Sequence, residues 1–270
     1  MLRAVVRFNV ALSSWIEGTL PLGLRTDGNR DFQRNVLPLA LVPGATVYDV
    51  GGGSRPFVTI GEKRRLSLTV VGLDISAEEL AAAPEGVFDR AIAADLCTFT
   101  GQGDADFVVC QATLEHVHDT SGAVSAIASC LKPGGRALLF APCRNAVFAR
   151  INLALPEGMK KRILFALFPH KAEGHDGFKA YYDRCTPREL ERLASSNGLI
   201  VVQRRLFWTS SYFKAFAPVF VLWRLAQGVL WLAIRAQAAE TFWYVLEKPS
   251  SKPRQGEHPR LRAGAPVPSP

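Results

Sequence analysis

From residue 46 the chain alternates short, nearly all-apolar runs with helical stretches, and that alternation restricts it to parallel α/β architecture. Thr46–Val50, Leu68–Leu73, Arg90–Ala94, Asp106–Cys110 and Ala137–Ala141 read as five strands of five or six residues each. Runs so short and so apolar suit a sheet covered on both faces. Ser76–Ala83 and Ser121–Leu131, between them, predict crossover helices. A further helix is expected from Thr186-Pro187-Arg188-Glu189, with Thr186 as N-cap, Pro187 first in the helix and Glu189 the return arm of a capping box. Asn197-Gly198 ends it, Leu199–Arg205 reads as a sixth strand and Thr241–Lys248 as a seventh.

Composition bounds the classes. With 48% hydrophobic and 21% charged residues in 270, the chain buries a sizeable core and is not disordered as a whole. Its longest apolar stretch, Ala215–Ile234, is interrupted by Pro218, Arg224 and Gln227, which excludes a multi-spanning membrane protein. Five widely spaced cysteines, Cys97, Cys110, Cys130, Cys143 and Cys185, form no Cys-x-x-Cys pair, as expected of a reducing compartment without a disulfide framework or metal site. No uninterrupted apolar run follows Met1, so a cytoplasmic protein is expected. Residues 1–45 read as an N-terminal helical cap and 46–248 as the main domain, with insertions at 143–185 and 206–240. Residues 249–270 hold six of the 17 prolines and read as a disordered basic tail.

The strand Val47–Val50 runs directly into Gly51-Gly52-Gly53-Ser54-Arg55-Pro56. Glycines at the carboxyl end of a first strand let backbone approach a ligand closely, where open α/β sheets bind ligands. The next strand ends in Leu73-Asp74, a carboxylate placed to accept both hydroxyls of a ribose. A dinucleotide fingerprint needs a third glycine at position 56, where Pro56 stands, so a ligand without a pyrophosphate fits better than a nicotinamide cofactor.

These residues, with three later motifs, resemble the class I S-adenosylmethionine-dependent methyltransferases, most closely the type 11 group. Asp49, Gly51 and Gly53 match its acidic-Gly-x-Gly pattern, with Gly52 between them, and Asp74 its ribose-binding acid, with Ile75 beside it where adenine packs. Asp95-Leu96 matches the motif facing the adenine amino group. Asp106–Gln111 with Leu114-Glu115-His116-Val117 matches the fourth strand and its continuation, and Leu131–Gly135 the turn before the fifth. The resemblance implies a Rossmann-like seven-stranded sheet, mostly parallel, with helices on both faces and a long helical insertion before the last strand. It also implies S-adenosylmethionine as cofactor, held by Asp49, Gly51, Gly52, Gly53, Asp74, Ile75, Asp95, Leu96 and Gln111, and no metal. A third glycine common in the family is replaced by Arg55.

Methyl transfer from a sulfonium is an in-line displacement, so holding donor and acceptor collinear is the main task and no protein nucleophile is required. A base is needed only for an acceptor that must lose a proton. His116, His175 and Tyr181 are the candidates, with His170, Asp176, Tyr182 and Asp183 nearby.

The net charge of +8 is unevenly divided. Residues 46–142 carry 7 basic and 12 acidic groups, whereas 143–248 carry 16 and 8. Lys160-Lys161-Arg162 precedes the apolar run Ile163–Phe168, and in 206–240 a stripe of Arg224, Gly228, Trp231 and Arg235 is flanked by apolar residues. The expected acceptor is a small or lipid-linked, anionic molecule, with peripheral contact through 206–240 to the inner face of a membrane and no nucleic-acid partner. An inactive relative serving as a membrane- or partner-binding module, or an NAD-dependent oxidoreductase, are the competing readings.

Overall fold

A computed structural model describes residues 2–156, 179–210 and 212–250. Seven strands form one sheet: β1 (Thr46–Val50), β2 (Thr69–Asp74), β3 (Arg90–Ala93), β4 (Ala105–Gln111), β5 (Leu131–Pro142), β6 (Ile200–Phe207) and β7 (Thr241–Glu247). Their spatial order is β3-β2-β1-β4-β5-β7-β6. β7 alone is antiparallel, pairing with β5 on one side and β6 on the other. The sheet is therefore seven-stranded and mostly parallel, as expected from the sequence.

The helices are α1 (Leu2–Gly18), α2 (Leu22–Arg25), α3 (Gly28–Asn35), α4 (Ile60–Leu66), α5 (Ala77–Ala81), α6 (Thr120–Cys130), α7 (Val147–Ala154), α8 (Pro187–Ser196) and α9 (Ala217–Ile234). Successive residues of β1 feed two cores on opposite faces of the sheet. Val47 packs with Phe32, Val70 and Val109 on one face, while Tyr48 and Val50 pack with Val71, Val108 and Ile127 on the other. Burying each such aliphatic side chain contributes about 1.5–3 kcal/mol, which holds the strands of the binding edge in register.

Local caps place the helix starts. Ser76 accepts from the Glu79 amide to open α5, and Thr59 with Glu62 forms a full capping box on α4. Thr186 accepts from the Glu189 amide as expected, but Glu189 does not return to the cap, because its carboxylate pairs instead with Arg192 one turn on. Lys132–Gly135 is also not a turn ahead of the fifth strand. Leu131 already pairs with Ala105, and the ladder shifts register before Phe107 meets Arg136, so these residues form an irregularity inside β5. Gly134, at φ +84°, donates its amide there to the Lys248 carbonyl.

Two expectations fall outside the described residues: the basic-apolar segment 160–168 with His170, His175 and Asp176, and residues 251–270 of the tail.

Candidate functional site

The order reverses between β1 and β4, and the glycine loop leaves β1 at that switch point. Gly51 has φ +73° and donates to the Leu73 carbonyl at 2.7 Å, and a Cβ on it would strike Thr113. A Cβ on Gly52 would meet the Asp49 carboxyl group. The loop is thus pressed against β1 and the turn after β4, which only glycine allows.

Asp49 is buried under this loop and accepts the Phe57 amide at 2.9 Å. Burial, opposed by that hydrogen bond and reinforced by the Asp74 charge, pushes its carboxyl up to about 7. Its place is beneath the loop, as the support that fixes its curvature.

Asp74 ends β2 next to β1. One oxygen accepts the Ser76 amide at 2.9 Å, and the backbone of Ile75 and Gly53 lies close enough to favour the charged carboxylate. Burial raises its pKa, against those backbone groups. Gly53 therefore joins the loop to the acid: a Cβ there would stand 3.2 Å from Asp74 Oδ2. Ile75 beside it is 63% exposed, an apolar plate on an otherwise polar rim.

Asp95 turns back to accept the Cys97 amide at 2.8 Å, with Leu96 buried between them. The same turn brings Asp95, Cys97 and His118 together, their ligand atoms within 4.8 Å of one another and Cys97 Sγ 3.5 Å from His118 Nδ1. That grouping has metal-ligand chemistry and was invisible in the cysteine spacing, because His118 comes from the other side of β4. Gln111 ends β4 and donates to Asn29 of α3 at 2.7 Å. Ala112 then takes φ +54°, unusual for a residue with a Cβ, and Thr113 Oγ1 donates back to the Val50 carbonyl at 3.2 Å.

Beyond that turn lies an acid-base group. Glu115 is wholly buried, and its Oε2 has no hydrogen-bond partner. Burial pushes its carboxyl up to about 8. His116 Nδ1 lies 3.2 Å from the Lys179 carbonyl, which requires the proton on Nδ1 and leaves the lone pair of the neutral ring on Nε2. That Nε2 is 3.8 Å from Glu115 Oε1. The amides of Tyr181 and Tyr182 both donate to the Glu115 carbonyl, at 2.8 and 3.0 Å, so the segment after residue 178 is fastened to the LEH turn. Tyr181 is 40% exposed beside His118, whereas Tyr182 is buried against Phe148.

The structure thus brings the glycine loop, Asp74, Ile75, Asp95 and Gln111 to the carboxyl edge around β1, with His116 and Tyr181 beyond β4. Asn29, Thr113 and Glu115 were not singled out from the sequence. Glu115 lay in a quoted motif, next to the more conspicuous histidine, while Asn29 is 82 residues from Gln111 and carries no local signal.

The pocket chemistry fits S-adenosylmethionine. The loop leaves no room for side chains, a carboxylate oriented by the Ser76 amide suits two ribose hydroxyls, and an exposed isoleucine suits the face of a base.

Residues 24–204 match the family described as Methyltransferase domain. The chain is 27% identical over 174 residues to a ubiquinone biosynthesis O-methyltransferase of Cupriavidus pinatubonensis (strain JMP 134 / LMG 1197), covering 62% of this chain and 65% of that protein. It is 27% identical over 212 residues to the ubiquinone biosynthesis O-methyltransferase of Rhodopseudomonas palustris (strain BisB5), covering 75% and 74%. In fold it is similar to geranyl diphosphate C-methyltransferase from Streptomyces coelicolor A3(2), crystallised with S-adenosyl-L-homocysteine. The TM-score is 0.51 at 17% identity, covering 81% of this chain and 80% of that one.

Proposed function

The chain belongs to the methyltransferase-domain family, and we propose that it methylates a hydroxyl of a small or lipid-linked acceptor with S-adenosylmethionine, at the cytoplasmic face of a membrane. The observation that carries this reading is the union of glycine loop and ribose acid: Gly53 packs directly against the Asp74 carboxylate at the switch point of the sheet. The O-methyltransferase names of two relatives support a hydroxyl acceptor.

When bound, S-adenosylmethionine supplies an electrophilic methyl group on a sulfonium. Asp74 would accept the ribose hydroxyls, Ile75 would pack on the base, the Asp95 turn would face its amino group, and Gly51–Gly53 and Gln111 would complete the set that holds the cofactor. Asp49 acts from below by fixing the loop. A hydroxyl acceptor must give up its proton, and His116 presents a basic nitrogen, Nε2, on the turn after β4. Glu115 and Tyr182 shape the wall behind it.

Asp74→Ala removes two charge-assisted hydrogen bonds, roughly 3 kcal/mol, so calorimetric titration with S-adenosylmethionine is expected to show about a 100-fold weaker Kd. Equal affinity of the two proteins refutes the site. His116→Ala is expected to keep the cofactor Kd and lose methyl transfer to hydroxyl-bearing lipid extracts, read by mass spectrometry.

A further inference from the structure

α1 is turned inside out. Its inward positions Asn9, Ser13 and Glu17, spaced four apart, are polar and buried. Its outward positions Val5, Phe8, Leu12 and Trp15 are apolar and exposed, Phe8 by 68% and Trp15 by 69%. The polar stripe binds the insertion before β7. Glu17 pairs with Lys214 at 2.5 Å and with Arg224 at 3.0 Å, Ser13 donates to the Lys214 carbonyl, and Asn9 accepts the Ala217 amide that opens α9. α9 is apolar on both sides: Phe220 and Trp223 are buried with Gln227, and Arg224 faces α1, while Leu222, Leu225, Val229 and Leu232 form an outward stripe, each 63–66% exposed. Arg224 therefore does not lie on a cationic stripe facing lipid, as its spacing had suggested.

A helix pair that buries its charges and exposes its leucines suits surroundings less polar than water. Charge indicates which. Among the described residues, neither α1 nor α9 has an outward carboxylate, since Glu17 is their only acid and it is buried. Arg7, Arg25 and Arg235 stand exposed at the rim, and the Arg235 guanidinium lies 4.6 Å from the Trp231 ring centroid. Arginine and tryptophan around an apolar face match an anionic headgroup layer, whereas a second copy of this face would set like charges together.

Topology fixes the orientation. β6 and β5 run parallel, both being antiparallel to β7, so α9 leaves β6 at the carboxyl edge, where the cofactor loop also lies. Phe207 pairs with Thr241, so the segment that carries α9 leaves and rejoins the sheet at one point on that edge. An apolar groove of about 570 Å³ between α7 and α9, lined by Ile151, Ala154, Val229 and Leu230 with Arg150 beside them, opens next to the stripe.

We propose that the outward faces of α1 and α9 form one docking surface for an anionic lipid leaflet, which places the carboxyl edge of the sheet beside the membrane. The purpose of this surface rests on the lipid-linked acceptor proposed above; its existence does not. The test is cosedimentation of the full chain with phosphatidylglycerol-containing or pure phosphatidylcholine vesicles, with cofactor affinity measured on the same samples. Binding to the anionic vesicles is expected, and Trp15→Asp or Leu225→Asp, both at exposed positions, is expected to weaken it at least about tenfold with cofactor Kd and circular dichroism unchanged. Neutralising Arg7 and Arg235 to glutamine removes about 30-fold of the anionic preference. Equal binding to neutral vesicles, no binding to either, or a dimer in solution that Leu225→Asp dissolves overturns the proposal. Vesicle binding by a protein that never binds S-adenosylmethionine overturns the proposed function and leaves this surface standing.

Discussion

Glu115 holds a carboxyl group where neither solvent nor a donor reaches one of its oxygens. In the folded chain its pKa lies near 8, against 4.5 as an ordinary glutamate, with burial as the leading cause. A raised folded-state pKa means that the native protein binds the proton more tightly than the unfolded chain. This contribution to stability is complete below pH 4.5, shrinks as pH rises toward about 8, and is lost above it. The full span is about 5 kcal/mol. Glu115→Gln mimics the protonated side chain and cannot ionise, so its urea midpoint is expected to match the parent at pH 5 and to exceed it clearly at pH 9. Parallel pH profiles for the two proteins would contradict the assignment. Asp49, raised to about 7 by burial, adds a slope of the same sign at lower pH.

At the scale of elements, the clasp between α1 and α9 is a three-charge group: Glu17 against Lys214 and Arg224. Arg224 is largely buried over Trp223 and Phe220, and the Trp208 and Leu24 carbonyls accept from it as well. Glu17→Gln leaves two cations facing a neutral amide, which is expected to cost about 2–3 kcal/mol. α1 has few other inward contacts, so the variant is expected to show rapid amide exchange and early protease cleavage within residues 2–18, while β1 to β5 keep their protection. Uniform loss of protection would show instead that the clasp supports the whole fold.

The sheet was legible in the sequence because each buried strand is a continuous apolar run bounded by glycine, proline or a cap. α4 was equally legible through Thr59 and Glu62, but its pattern was passed over. The inward turn of Arg224 was not legible. Helical periodicity finds an arginine stripe, but its partner Glu17 is 207 residues away, and only the tertiary pairing decides which face of α9 meets protein. The same limit hid the Gln111–Asn29 bond and the approach of His118 to Cys97. Within the cofactor site, the residue types and their order were legible, whereas the buried, supporting position of Asp49 emerged only from the packing of the loop.

Over the whole molecule, an acidic half that contains the glycine loop and Asp74 is joined to a half with 16 basic and 8 acidic residues that contains α9. A ligand that binds only the native state stabilises the entire domain by mass action, about 2.7 kcal/mol at a concentration 100 times its Kd. For a chain of this size that corresponds to a rise in Tm of about 5–10 °C. Asp74 must be ionised to accept both ribose hydroxyls, and burial raises its pKa, so this acceptor is lost at a higher pH than for an ordinary aspartate. The rise produced by S-adenosylmethionine is therefore expected to be full at pH 8 and to shrink as the pH falls into the acid range. Glu62, Asp89 and Asp106, whose carboxyls are held below their ordinary range by hydrogen bonds and ion pairs, lose stability at that lower pH, so each rise is read against the ligand-free protein at the same pH. Asp74→Asn is expected to show only a small rise at either pH. A parent protein stabilised equally at pH 8 and pH 4 would mean that the cofactor is held by groups other than this carboxylate.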